Sequence, residues 1–356
     1  MSRYNRTGLP WGGELGIDVS NCTTSREVMD KAGLNFYVDK CQLFAQMPFN
    51  VKGNNAINDN MGDFAYNGNA YRPCPKGYAT YRVDKNIPLG IVKEDYTVVQ
   101  NIEAFNFFDA AIGEGQAIWD KAGCYGYGHR VFVSAKLPIK TDVNGDAITN
   151  YLVFATSHDG SFSIDIMFTS IRMFCFNVLN TARQASDAHI RLRHTKSVKD
   201  KLDRGREILR IACQQATDIQ QVYASLYGIK MSDDAVIEYL MKLNLTDEEL
   251  YNVLEYDKLR GYDRILNKEH YMLEQVGIGT RKANVISDMF DYYKNGIGQK
   301  EIAGNAWGAY NAVTGYYSNV KNFTEPTKRM DSLLYGGANT NMLAAFNMAI
   351  DLAEAV

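Results

Sequence analysis

The sequence predicts an α+β chain, an antiparallel β-meander plus helix followed by a C-terminal all-helical region. Three observations lead there. Apolar residues alternate with a period of two through 130–137, 150–156 and 162–168, as in antiparallel strands with distinct faces. Asn144-Gly145 and Asp159-Gly160 separate these runs, and both dipeptides tolerate the positive φ of tight hairpin turns. Beyond about residue 197 the spacing becomes helical, with Leu202, Ile208, Leu209, Ala212, Ala216, Ile219 and Val222 recurring on one face. The division that follows is an α+β core domain with the antiparallel sheet over 1–195, and a helical region packed on it over 196–356.

The elements follow in order. Ser25 is placed to cap a short helix with Val28, Met29 and Ala32 inward. Residues 50–76 are rich in Asn, Gly and Tyr without a period and are expected to form an ordered loop or arm. The stretch around Val83 reads as a hairpin whose return strand contains Ile91, and Asn101 as the cap of a helix over 102–111. The meander then occupies 116–168. On its last strand Phe162, Ile164, Ile166 and Phe168 face the core. Ser161, Ser163 and Asp165 face the other way, which predicts a solvated or ligand-facing side. A helix over 170–185 is expected to cross the buried face. Downstream, Gly228 stops a helix, Ser232 caps the next, and Thr246 with Glu249 forms a capping box. Two further helices are expected over 302–320 and 341–355.

Bulk properties limit the function classes. Apolar residues make up 46% of the 356, ample for a core, and the formal charge is −3, so any nucleic-acid surface must be local. No apolar leader and no run of membrane-spanning length is present, so a cytoplasmic protein is expected. The six cysteines are scattered and no C-x-x-C pair occurs, which predicts unbridged thiols and no structural zinc. Phosphate-loop, dinucleotide and nucleophile-elbow motifs are absent, and no cofactor is expected.

The strongest candidate surface is basic. Residues 183–210 hold nine Lys or Arg against four acids, and cations bind phosphate without regard to sequence. Arg172, Arg183, Arg191, Arg193, Lys196 and Lys199 are the candidate nucleic-acid contacts there. Arg130 and Lys136 join them from the meander face opposite Val131 and Val133, with Tyr125, Tyr127 and Tyr151 beside them to stack on bases. The bland reading of the run is a solvated helix face with i,i+4 pairs. His158-Asp159 with Asp165 and His129 suits a metal-dependent nuclease, although Asp in a hairpin turn is also expected for backbone reasons. The GIG turn at 277–279 resembles the phosphate-binding hairpin of helix-hairpin-helix motifs, and Thr280 capping a helix explains much of the same pattern. The acidic stretch 231–257 is a solvated surface or a site for a basic host partner.

A set of motifs spans most of the chain in order: HRVFVSAKLP (129–138), YLVF (151–154), SHDGS (157–161), FTSIRMFC (168–175), NVL (177–179), RHT (193–195) and AWGAYNA (306–312). They resemble a phage/plasmid-like protein family of unknown function. Where that family usually has Cys-Gln-Asn-Thr-Leu, this chain has CFNVL (175–179), which replaces two polar side chains. The resemblance implies a mobile-element protein in a bacterial host. A meander followed by a helix is also similar in layout to single-strand annealing proteins, an analogy of topology alone. The expected function is therefore non-enzymatic nucleic-acid binding in recombination, single-stranded DNA favoured, by a homo-oligomer without membrane association. The alternatives from other classes are a metal-dependent nuclease and a host-interaction protein.

Overall fold

Thr24, not Ser25, caps the first helix. In the computed structural model, which describes residues 16–47, 62–67, 69–113, 115, 117–172, 175–177, 189–195, 205–257 and 277–354, the chain begins with a two-residue strand, β1 (Ile17–Asp18), and then α1 (Ser25–Ala32). Thr24 is extended and its side chain accepts from Glu27 N, while Glu27 reaches back to Thr23 N at 2.7 Å. Ser25 is free for another task. Its N–H and hydroxyl donate to Asp109 at 2.6 and 2.7 Å and tie α1 to the next helix in sequence.

The expected loop over 50–76 is corrected in its second half. Four strands form a small sheet: β2 (Val38–Met47), β3 (Phe64–Tyr66), β4 (Asn69–Arg82) and β5 (Ile87–Lys93). β4 is central, with β2 on one side and β3 then β5 on the other. Its pattern was silent because little of it enters an apolar core. Thr80 donates to the His158 carbonyl at 2.5 Å, and Gly90 lies directly under the Asp159 backbone. This sheet therefore grips a loop of the larger one through polar backbone, which leaves no period in the sequence.

Helix α2 (Asn101–Gly113) corrects another expectation. Gln100 precedes it, accepting from Ala104 N while its own N–H donates to Glu103 at 3.0 Å. Asn101 is buried, and its amide nitrogen donates to the Leu34 carbonyl. Phe105 and Phe108 of α2 meet Phe154 edge-on at 6.5 Å; burying each such ring is worth roughly 1.5–3 kcal/mol.

The meander is β6 (Ile118–Tyr125), β7 (Arg130–Val143), β8 (Asp146–Ser157) and β9 (Ile164–Arg172), all antiparallel. Asn144 and Gly145 both have positive φ, 56° and 91°, as a type I′ turn requires. Two expectations fail after that. The helix expected over 170–185 is replaced at its start, since β9 runs to Arg172 and β10 (Cys175–Asn177) folds back on it; residues 178–188 lie outside the described ones. Ser170–Arg172 stay extended because β8 still offers Ile148, Thr149 and Asn150 as partners. An apolar run such as FTSIRMFCF fits either period, and the available ladder decides.

The solvated side expected for β9 is absent too. Asp165, Met167 and Thr169 are buried, as are Ile164, Ile166 and Phe168. β9 sits inside a seven-stranded sheet of order β1-β6-β7-β8-β9-β10, and β11 (His189–Leu192) pairs with its first half. Likewise Phe132 and Ser134 on β7 are as buried as Val131 and Val133.

The helical part comprises α3 (Gly205–Gly228), α4 (Asp233–Asn244), α5 (Asp247–Asp257), α6 (Thr280–Asn295), α7 (Ala306–Gly315), α8 (Pro326–Leu334) and α9 (Gly337–Glu354). Ser232 caps α4, and Thr246 and Glu249 exchange bonds of 2.8 and 3.3 Å, both as expected. Thr280 does not cap α6; Gly279 holds that position without a side-chain bond. α7 passes into a π-helical turn, Tyr316–Val320. Tyr223 of α3 packs on Trp307 at 4.3 Å, and the indole N–H donates to Asp146 at the start of β8. One apolar cluster runs from Val19 to Ala349, so sheet and helices share a core. Among the described residues no helix is long and apolar enough to cross a membrane.

Candidate functional site

The loop between β8 and β9 organises the surface that the sequence singled out. Ser157 pins both sides of it, accepting from Phe162 N at 3.1 Å and donating to Phe162 O at 2.7 Å. Asp159 accepts from Ser161 N, and Gly160 turns the chain with φ 75°. Two open clefts flank the loop and share Phe162 and Ser163 as their common wall. The larger, about 720 Å³, is lined by Arg130, Arg191, Asp165, Asp331 and Tyr335 among others. The smaller, about 470 Å³, holds Lys93, Tyr96, Arg193 and His194.

The candidate cations divide sharply. Arg130 is half-buried and engaged by both oxygens of Asp331 at 2.6 Å, by Ser161 at 3.1 Å and by Asp159 at 3.8 Å. It stands over the Tyr125 and Phe162 rings and joins the start of β7 to α8. Arg191 lies opposite Asp165 in the ladder and donates to it at 3.0 Å; the carboxylate is fully buried while the Arg191 side chain is 58% exposed. Arg193, one residue past the strand, is exposed in the smaller cleft near exposed Lys93. Lys136 is exposed but lies six residues along β7 from Arg130, about 20 Å away at the usual rise. Arg172 ends β9, paired through its backbone with Ile148 and Cys175. Arg183, Lys196 and Lys199 lie outside the described residues. The structure thus brings Arg130 and Arg191 into one cleft and Arg193 into the next.

Of the three tyrosines proposed to stack, Tyr125 and Tyr151 are buried and Tyr127 is 56% exposed. Tyr96, which carried no signal of its own, is better placed. Its hydroxyl donates to the Ser157 carbonyl at 2.7 Å and its ring stacks on His194 at 4.6 Å. His194 in turn contacts the Thr97 carbonyl and Thr156, clamping 193–195 against the segment after β5.

His158 and Asp165 do not share a site. His158 is fully buried, with Nε2 at 2.9 Å from Asn101 Oδ1; since the Asn101 amide nitrogen already donates to Leu34, the network assigns the proton to Nε2. Burial lowers its pKa to about 4, with nearby His194 adding to the effect. Among the described residues no group of three His, Cys, Asp or Glu is placed to hold a metal ion. At the GIG turn Gly277 has φ 74°, Lys282 is tied to Glu249 at 2.6 Å, and Arg281 is exposed.

The chain matches no curated protein and no solved structure. Residues 88–334 match a family described as a domain of unknown function, DUF932, a span that includes the whole meander, both clefts' cations and the helices up to α8. The chain belongs to the DUF932 family.

Proposed function

We propose that this chain is a non-enzymatic nucleic-acid-binding protein of phage or plasmid DNA metabolism in the bacterial cytoplasm, that it favours single-stranded DNA, and that it promotes annealing as a homo-oligomer. The observation that carries this reading is the smaller cleft. Exposed Lys93 and Arg193 line it together with Tyr96 and Phe162, a mixture of cations and aromatic rings that suits a flexible strand. The small sheet beside it extends the same chemistry. Phe44, Phe64 and Tyr66 are exposed, and Phe64 stacks on Tyr71 at 5.0 Å. The described residues between 36 and 93 carry six Lys or Arg against three Asp in a chain whose total charge is −3. Arg72 and Arg82 are paired with Asp63 and Asp84, and the exposed Lys76, Lys85 and Lys93 that remain support a confined polyanion surface.

Binding is tested by fluorescence anisotropy with single- and double-stranded DNA of unrelated sequences across a salt series. Replacing Lys93, Lys136 and Arg193 together with Ala is expected to weaken binding about equally for all sequences. It should flatten the salt slope by about 2 units, since each lost phosphate contact to a single strand removes about 0.7 of a released counterion. A triple variant that binds like the parent at every salt concentration sinks the reading.

A further inference from the structure

The larger cleft offers hydrogen-bond donors where net charge is close to balanced. Arg191 enters it from β11, and the fully buried Asp165 accepts from its Nε. The guanidinium is therefore held from behind. Among the described residues its two terminal nitrogens make no hydrogen bond, and the side chain is exposed. A planar fork fixed through Nε by a buried carboxylate is oriented for two parallel bonds to an oxyanion. Tyr335 lines the same cleft, and its hydroxyl is buried with no partner among the described residues. A buried donor left idle is costly, so such a group asks for an acceptor. Asp165, Tyr125, Asp331 and Arg191 surround it, and burial keeps it protonated and neutral, a donor.

The rest of the wall agrees. Ser163 and the first turn of α9 face the cleft. Gly336 N and Ala338 N are used by Asp331 O and Ser332 Oγ, which leaves the Gly337 N–H between them at the positive end of an 18-residue helix. The carboxylate of Asp331 is neutralised on both oxygens by Arg130.

We infer that this cleft binds the phosphate of a phosphomonoester or phosphodiester, received by the Arg191 fork, the Tyr335 hydroxyl, Ser163 and the start of α9. The inference rests on the nucleic-acid reading only for the source of that phosphate. Because oriented donors rather than an excess of cations hold it, its salt dependence should be shallower than that of the Lys93–Arg193 cleft.

The test uses the full chain and inorganic phosphate, by calorimetric titration and thermal shift at constant ionic strength, with chloride as control. Saturable binding is expected from phosphate and none from chloride. Tyr335→Phe removes a hydroxyl that has no partner to lose, so its melting temperature should match the parent. Its phosphate affinity should fall about tenfold, as loss of one bond to a charged group implies. Arg191→Lys keeps the charge, loses the fork and should weaken phosphate to a similar degree. Phosphate no better than chloride, or both variants binding like the parent, overturns the site. A 5′-phosphorylated single strand that binds more tightly than its 5′-hydroxyl twin assigns the cleft to strand ends. Equal binding, weakened by Tyr335→Phe, assigns it to internal diesters. Phosphate binding that survives without any DNA binding leaves the site and removes the nucleic-acid reading; the reverse outcome removes the site alone.

Discussion

The two sheets share antiparallel pairing and differ in what their faces meet. The seven-stranded sheet is covered on both sides through its centre, and many of its polar groups are matched internally. Asp165 accepts from Arg191, Asn150 donates to Thr141 and accepts from Ser170, and Ser134 donates to Asp120. The four-stranded sheet keeps Ile91, Phe44, Phe64 and Tyr66 in solvent and grips its neighbour with backbone at Gly90 and Thr80. Arginines near both sheets are engaged, Arg130 and Arg191 with Asp331 and Asp165, Arg72 and Arg82 with Asp63 and Asp84, whereas the exposed lysines around the second sheet, Lys76, Lys85 and Lys93, face solvent. Counting Lys and Arg along the sequence mixes the two kinds.

The largest effect that would break this contrast lies where the sheets touch. A Cβ on Gly90 would sit 2.3 Å from the Asp159 carbonyl oxygen and 2.5 Å from its Cα, backbone that cannot swing away. Gly90→Ala is expected to cost about 3 kcal/mol or more in urea denaturation, at the upper end of overpacking effects. A parent-like midpoint would show that the small sheet is not tied through this contact.

Acid should loosen the same junction. His158 titrates near 4 in the folded chain, against an ordinary value of 6.5. Between those values the unfolded chain binds more protons, so stability is full above about pH 6.5, falls as the pH drops, and levels off below about 4. The loss amounts to about 3 kcal/mol. His194, lowered by its own burial, pulls in the same direction. Denaturation curves from pH 7 to 4 should show this slope, and His158→Gln should reduce it; an unchanged slope in the variant rules His158 out as the cause.

The smallest contrast is between two arginines two residues apart. Arg191→Ala removes one partner of the buried Asp165 carboxylate, and the exposure of Arg191 tempers the cost to about 2 kcal/mol. Arg193→Ala should stay within about 0.5 kcal/mol. Equal stabilities would show that the Arg191–Asp165 pair does not hold β11 to β9.

What the sequence made legible was locally encoded. The β7 strand, the Asn144-Gly145 turn, the Ser232 cap and the Thr246–Glu249 box each depend on neighbours within a few residues, and each stands where the sequence predicts it, although both faces of β7 are buried from Val131 to Ala135. The end of β4 and its return strand β5 were legible as a hairpin around Val83, but the rest of β4 was not, because its partners are three other strands and a foreign loop, so no period survived. Residues 170–172 are strand rather than helix because β8 supplies a ladder that no local pattern announces. For the candidate site, the basic residues after the meander were visible but their fates were not. Arg130 meets Asp331 across 201 positions, and Arg191 meets Asp165 only once the β9–β11 register is set. Lys93, Tyr96 and Tyr335 carried no motif, and only the loop at 158–163 brings them to neighbouring walls.

That wall has a thermodynamic corollary. Phe162 and Ser163 separate the two clefts, and Ser157 fastens the loop from both sides of Phe162. An occupant that displaces the Phe162 ring on one side reshapes the other side as well. Linkage then requires reciprocity: whatever factor the first occupant imposes on the affinity of the second, the second imposes on the first. A phosphate in one cleft and a base in the other would report on each other as a cooperative pair, with the partition between them setting the sign.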